Sequence, residues 1–349
     1  MNAEVTTIIP TYRRPLLLGR AIRSALAQSH SDLQVLVCDN ASGDETRTVV
    51  TEFSARDSRV IYRCREKNLG VYRNMKLALD EVNTPYCSFL SDDDVMLPDY
   101  YRVTLPGLRD DPDAAFSAGR SLLMTEAGEP ISVMPGFRTR SGRYCPPQGL
   151  LPLLSGHMVS HMALTGVLLR TEVARRLWPE AVEEGYPLDI ELILRMTAAH
   201  SYLLCDEVVL LICLHVGNLG KSRLPLYRGW IRVFRELALG NKLPEPHRGI
   251  AARKFRVQLK NAFTKIWLRC VTQQNWSEAY ILAELLEEEF GISRLGKVLF
   301  QATQSFRKNH GFARWLRLKE TLRRRDDAYR ERFLRPFAGY AAWFGEAKL

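Results

Sequence analysis

The chain has no Cys-x-x-Cys pair; its seven cysteines (Cys38, Cys64, Cys87, Cys145, Cys205, Cys213 and Cys270) are odd in number and scattered. That usage argues against a zinc site or a disulfide framework and suits a reducing compartment. No run of about 18 apolar residues occurs, so no transmembrane helix is expected. Met1-Asn2-Ala3-Glu4 leads straight into a β-rich run. A secretory signal would begin with basic residues and an apolar stretch, so a cytoplasmic protein is expected. Neither Gly-x-Gly-x-x-Gly nor Gly-x-x-x-x-Gly-Lys-Ser/Thr is present, which excludes the usual dinucleotide and P-loop phosphate cradles. Phosphate chemistry here would have to rely on a metal. Internal repeats and low-complexity segments are absent as well.

What remains is an ordinary globular composition with an uneven charge. The 349 residues are 46% hydrophobic and 25% charged, enough for a sizeable core. The net charge of +10 is not spread evenly. From residue 221 onward there are 27 Lys plus Arg against 12 Asp plus Glu, or +15; residues 1–220 hold 22 against 27, or −5. The shift predicts a boundary near residue 220 and assigns the basic surface to the C-terminal part.

Residues 1–110 alternate β-rich and helix-periodic segments. Strands are predicted at Val5–Ile9, Leu33–Cys38, Val60–Tyr62 and Tyr86–Leu90, with helices at 16–28, from Asp44 through Phe53, and at 72–81. Repeated βα units imply a parallel sheet covered by helices, with ligands beyond the C-terminal strand ends. The polar clusters fall at those ends: Pro10-Thr11-Tyr12, Asp39, Asn68 to Asn74, and Asp92-Asp93-Asp94. Loops are polar in general, but that alone does not demand carboxylates at two strand ends.

The segment Phe89-Leu90-Ser91-Asp92-Asp93-Asp94-Val95 carries the sharpest signal. Three adjacent acids at the mouth of a buried strand repel one another and need a cation or donors nearby. Magnesium or manganese suits such oxygen ligands; a solvated acidic turn is the plainer alternative. Residues 115–220 lose the strict alternation and contain one helix from Asp189 to His200, where Asp189 by itself reads as an N-cap. His215 closes an apolar run and by itself reads as structural. Residues 225–349 read as helical and basic, a surface for anionic lipid or a solvated bundle.

Taken together these stretches resemble the inverting, nucleotide-sugar-dependent glycosyltransferases of family 2, with the GT-A fold. The resemblance runs from residue 4 to about 222 and is carried by Val-Thr-Thr-Ile-Ile-Pro-Thr-Tyr (5–12), Ser24-x-x-x-Gln28-Ser29, Val35 to Thr46, Asn68-Leu69-Gly70 with Asn74, Phe89 to Asp94, Gly185 to Arg195, and His215. It implies an α/β, Rossmann-like nucleotide-diphospho-sugar transferase domain over residues 1–222. Residues 1–115 would form the nucleotide-sugar half and 116–222 the acceptor half, followed by a basic, mostly helical region over 223–349. By the same resemblance Pro10, Thr11, Tyr12, Asp39, Asn68 and Asn74 would line the base side and Asp92 would approach the ribose. Asp93 would hold a manganese or magnesium ion, with Asp94 as a possible supporting group and His215 as a further ligand. Asp189 would be the catalytic base.

The implied reaction moves a sugar from a nucleoside-diphosphate sugar (UDP favoured, dTDP or GDP possible) to a hydroxyl of a glycan or lipid-linked acceptor. That suits bacterial-type surface polysaccharide synthesis, in the cytoplasm or at the inner face of the cell membrane, with peripheral contact through 223–349 and a homo-oligomer compatible with it. No nucleic-acid partner is expected. The sequence departs from the family at Arg13, often Asn; at Ser91, often Asp; and at Cys213, often Arg. Three rivals remain. A sugar-nucleotide pyrophosphorylase would want a Gly-rich basic loop after the first strand, where Pro-Thr-Tyr-Arg-Arg-Pro stands. A nucleic-acid-binding protein would use the +15 region and bind with steep salt dependence. A degenerate relative would leave Asp189 as a mere cap.

Overall fold

The computed structural model describes residues 3–134, 139–155, 164–180, 187–214, 224–273, 275–291 and 334–342. Contacts between Cα atoms divide the chain into two units, one of residues 1–153, 160–221 and 337–349, the other of 154–159 and 222–336.

The first unit is built on a mixed sheet. Its first four major strands are β1 (Val5–Thr11), β2 (Leu33–Asp39), β3 (Val60–Cys64) and β4 (Tyr86–Phe89), parallel and in the order β3-β2-β1-β4. The helices α1 (Pro15–Leu26), α2 (Thr46–Arg56) and α3 (Val71–Glu81) connect them. These are the βα units expected from the alternation. β1, β2 and β4 are almost wholly buried, because both of their faces are covered, and so they read as near-continuous apolar runs. Pro15 opens α1, its fixed φ suiting a first helical position. Asp44 accepts from the Thr46 amide (3.0 Å) one residue ahead of the position expected of a cap: the N-cap of α2 is Glu45, whose side chain makes no capping bond.

Beyond β4 the sheet continues through β5 (Val95–Met96), β6 (Ala114–Thr125), β7 (Pro130–Met134), β8 (Gly142–Tyr144), β9 (Val167–Arg170) and β10 (Ser201–Leu214), in the order β4-β9-β6-β10-β5. Here antiparallel pairs predominate, although β6 and β10 run parallel. The two apolar stretches Tyr202–Cys205 and Val208–Leu214 are not separate strands. They are one strand with register shifts between Leu204 and Leu210, a bulge that leaves Asp206 and Glu207 exposed. Helices α4 (Tyr100–Asp110), α6 (Thr171–Leu177) and α7 (Leu188–Ala199) also belong to this unit, and α5 (Leu150–Ser155) begins in it. Under the sheet the Tyr101 hydroxyl bonds Thr7 Oγ1 (2.5 Å) and Ser88 Oγ (2.8 Å), satisfying three buried hydroxyls at once and locking β1 to β4.

The described residues of the second unit are mostly helical. α8 (Leu224–Phe234), α9 (His247–Thr272) and α10 (Trp276–Phe290) pack through Tyr227, Phe234, Phe255, Phe263 and Phe290. Residues 292–333, part of the stretch expected to be basic and helical, lie outside the described residues.

Candidate active site

The acidic triad sits where the sequence pattern places it, in the turn between β4 and β5. Leu90 donates its amide to Ile8 O (2.8 Å), and there the strand ends. Alternation would send Asp92 and Asp94 to one side; because the chain is already turning, Asp92 and Asp93 face together and Asp94 faces away. Asp92 accepts from Thr11 Oγ1 (2.8 Å) and from Arg14 (3.1 Å), and the same Arg14 nitrogen donates to Asp93 (2.9 Å). Ser91 Oγ also donates to Asp93 (2.5 Å). Asp94 instead accepts the Cys213 amide (3.1 Å), tying the turn to the end of β10.

All three carboxylates are 4% exposed. Burial pushes Asp92 above the usual carboxylate range, while Thr11 and Arg14 pull the other way. Burial, reinforced by the charge of Asp93, holds Asp94 well above it. The turn's backbone is clamped by α1: Arg20 donates to Asp93 O, Ser24 Oγ accepts the Met96 amide (3.1 Å), and Gln28 Nε2 donates to Leu97 O (2.8 Å). The Ser24-x-x-x-Gln28 spacing therefore has a physical cause, since residues four apart share a helix face.

The other rim clusters are joined to the triad by hydrogen bonds. The Asn40 amide reaches Thr11 O (3.0 Å), the Asn40 side chain donates to Asn68 (2.9 Å) and accepts the Leu69 amide (2.9 Å), and Arg13 donates to Ser42 Oγ and O. Arg13 (φ 56°) and Ala41 (φ 63°) both adopt the left-handed region, uncommon for residues with a Cβ. The strain falls on two adjacent rim loops stitched through Ser42. Beside them Tyr12 is 38% exposed, with the Arg13 guanidinium 5.1 Å from its ring centre. An exposed aromatic ring at a strand end offers a stacking face.

Asp39 and Asn74 are engaged within the fold. One Asp39 oxygen accepts the Ser42 amide (2.9 Å) and hydroxyl (2.6 Å); the other accepts Tyr62 OH (2.6 Å) and the Cys64 thiol (3.6 Å). Asn74 donates to Cys38 O (2.8 Å) and accepts from Arg65 (3.0 Å), pinning α3 to β2. Asn68 accepts from Asn40 and from the Gly70 amide (2.9 Å), shaping the loop before α3. Pro10 is half-buried in the last turn of β1.

Asp189 stands in the first turn of α7, whose N-cap is Pro187, and the nearby backbone amides of Ile190 and Asp189 favour its charged form. Burial nevertheless raises it above the ordinary value. A carboxylate so raised is better matched to proton abstraction near neutral pH. In the same helix Glu191, buried, pairs with Arg195. His215 lies outside the described residues.

The residues fit a hard divalent cation in part. Asp92 and Asp93 present buried oxygens side by side, and magnesium or manganese often takes only one or two carboxylates and completes its shell with substrate phosphates and water. Among the described residues no three His, Cys, Asp or Glu side chains group to hold a metal by themselves. Arg14, Arg20 and Asn40 are the site residues that sequence reading missed. Arg20 left a signal: a basic residue among Leu18, Ala21 and Ile22 on the buried face of α1 must have a partner elsewhere in the fold.

Comparison with known proteins bears on the family and the fold. Residues 6–142 match the family model for glycosyl transferase family 2. These residues form a glycosyltransferase family 2 domain. A 95-residue segment is 34% identical to the GalNAc(5)-diNAcBac-PP-undecaprenol beta-1,3-glucosyltransferase of Campylobacter jejuni, covering 27% of this chain and 31% of that protein. A 93-residue segment is 33% identical to the UDP-Glc:alpha-D-GlcNAc-diphosphoundecaprenol beta-1,3-glucosyltransferase WfgD of Escherichia coli, covering 27% and 36%. The matched segments thus span about a third of these relatives' lengths. Among solved structures, S. aureus TarS in complex with UDP-GlcNAc superposes with a TM-score of 0.60 at 13% identity, over 82% of this chain and 81% of that one. The mannosyltransferase PcManGT from Pyrobaculum calidifontis, in complex with GDP-Man and Mn2+, gives 0.56 at 14% identity, over 96% and 88%. The fold is GT-A.

Proposed function

We propose that this family 2 protein is a metal-dependent, inverting glycosyltransferase that moves a sugar from a nucleoside-diphosphate sugar, UDP-linked for preference, to a hydroxyl of a glycan or lipid-linked acceptor. The observation that carries the reading is the buried Asp92–Asp93 pair, held at the strand-end rim by Thr11 and Arg14. Relatives named for transfer to undecaprenyl-diphosphate-linked sugars support the acceptor class, and surface polysaccharide synthesis as the setting.

In this reading Tyr12 stacks on the base, and a base N–H takes the Cys64 thiol's place on Asp39, the longest of the four contacts there. Asp92 faces the ribose. Asp93, with Asp94 supporting the turn and His215 as the further ligand, would hold manganese or magnesium, which when bound neutralises charge on the departing diphosphate. Asp189 takes the proton from the acceptor hydroxyl as that oxygen attacks the anomeric carbon, and a single displacement inverts the configuration. Residues 1–222 are assigned the transfer chemistry, with donor binding in 1–115, and the basic residues 223–349 a peripheral place at the inner face of the membrane.

The test is thermal stability against UDP, dTDP and GDP with manganese, magnesium or a chelator, since a ligand that binds only the folded protein must raise the melting temperature. A metal-dependent rise with one diphosphate, abolished in Asp93→Ala, supports the donor site. A folded protein that answers none of them refutes it.

A further inference from the structure

α9 and α10 divide their charge completely. Over residues 247–272 the sequence has seven Lys or Arg and no acid; over 276–290 it has five Glu and no Lys or Arg. Segregation on this scale goes beyond what solubility asks of a helix pair, where both signs usually mix.

The exposed face of α9 has an internal order. Its buried side carries Ala251, Phe255, Leu259, Phe263 and Trp267. At 100° per residue, Val257, Asn261, Thr264 and Leu268 fall on one outward strip about 60° wide. Val257 is 54% exposed and Leu268 44%, so both ends of that strip show large apolar side chains to solvent. Arg253, Arg256 and Lys260 flank the strip on one side, and Lys254, Lys265 and Arg269 on the other; all six are exposed. The cations span about 24 Å along the helix, at 1.5 Å per residue.

Two exposed apolar side chains, Val257 and Leu268, set either side of Asn261 and Thr264 and between two rows of long cationic side chains, suit an interface with an apolar interior beneath a negative surface. The stems of Lys and Arg lie along the boundary while their charged ends reach the headgroups. Nucleic-acid bases would be met by aromatic groups stacking between the cations, and the strip carries none: Asn261 and Thr264 are its polar members and Val257 and Leu268 its apolar ones. No described helix is long and apolar enough to cross a membrane. We propose that the outward face of α9, with Val257 and Leu268 between its two basic rows, is a docking surface for a bilayer rich in anionic phospholipid. This names the residues behind the membrane contact proposed above and rests on that part of it; the donor site is independent.

Sedimentation of the full chain with vesicles tests it. Binding to phosphatidylglycerol–phosphatidylcholine vesicles is expected, with little on pure phosphatidylcholine and a loss in high salt. The triple variant Lys254→Gln/Lys260→Gln/Lys265→Gln should bind about a hundredfold more weakly, at about fivefold per cation. Val257→Ser/Leu268→Ser, which keeps every charge, should weaken binding about tenfold and distinguish insertion from simple attraction. Glu284→Gln/Glu287→Gln on α10 should leave binding intact. Circular dichroism and the diphosphate-induced melting shift, measured on each variant, report whether the fold and donor site survive. Wild-type binding unmoved by both α9 variants would overturn the proposal, as would failure to bind anionic vesicles. Binding of duplex DNA or RNA that the α9 lysine variant loses, without vesicle binding, would overturn it in favour of a nucleic-acid surface. A protein that binds vesicles through α9 and ignores every diphosphate would refute the donor site and leave this surface standing.

Discussion

Replacing Asp39 separates two roles for a residue at the heart of the donor side. The carboxylate is 2% exposed and receives the Ser42 amide, the Ser42 hydroxyl, the Tyr62 hydroxyl and the Cys64 thiol. Asp39→Ala strands the Ser42 amide in a loop that Arg13 and Ala41 already hold in strained conformations. A buried donor left without an acceptor costs about 1–3 kcal/mol. The Tyr62 hydroxyl, half-buried, recovers some loss through water, and the Ser42 hydroxyl can rotate. A total of about 3 kcal/mol is therefore expected, or a fall of about 6–12 °C in the melting of the first unit. Asp39→Asn keeps an acceptor for Ser42, and Tyr62 can turn to accept from its amide, so about 1 kcal/mol is expected. Thermal scans with and without UDP and manganese read both effects. If Asp39→Ala melted within 2 °C of wild type yet lost UDP binding, the argument that this carboxylate builds the loop would be refuted and its role confined to the base.

Asp189→Asn should keep donor binding and lower the transfer rate by about 100- to 10,000-fold, the usual worth of a general base; full activity in a radiolabelled-sugar assay would remove the base assignment. Gly119→Ala should destabilise by about 1–3 kcal/mol, because its Cβ would collide with Val209 Cγ2 where β6 meets β10, and Val209→Ala in the same chain should restore most of that in urea titration. The hydrogen bond from Arg143 holds Asp111 below its ordinary value, with burial opposing. A carboxylate lowered on folding stabilises above its unfolded value, and that stability is lost as pH falls through the folded one. Arg143→Met should therefore flatten the acid side of a melting-temperature profile below about pH 4; Arg143 is exposed, so solvent screens the pair and the change at neutral pH should be small.

The strand-end logic needed only one dimension. The βα alternation of residues 1–110, the polar residues at each strand end and the acids after Leu90 are local patterns, and the fold and the rim could be read from them. Local pattern could not say which neighbours those polar groups would meet. Asp39 and Asn74 are as polar as Asp92 in the sequence, yet the fold spends one on Tyr62 and Ser42 and the other on Cys38 and Arg65. Their partners lie up to 36 residues away, beyond any periodicity. Strand alternation would pair Asp92 with Asp94; the turn after Phe89 overrode it, setting Asp92 and Asp93 on Arg14 and Asp94 on the Cys213 amide, 119 residues along the chain. The continuity of β10 was obscured for a related reason, since the bulge at Asp206 and Glu207 interrupts its apolar pattern where the partner strand β6 still sustains the ladder. The sequence by itself determined the kinds of element, their order, and the charge of each stretch. Tertiary structure decided which buried polar group satisfies which, because every buried donor must find an acceptor and only the assembled fold brings them together.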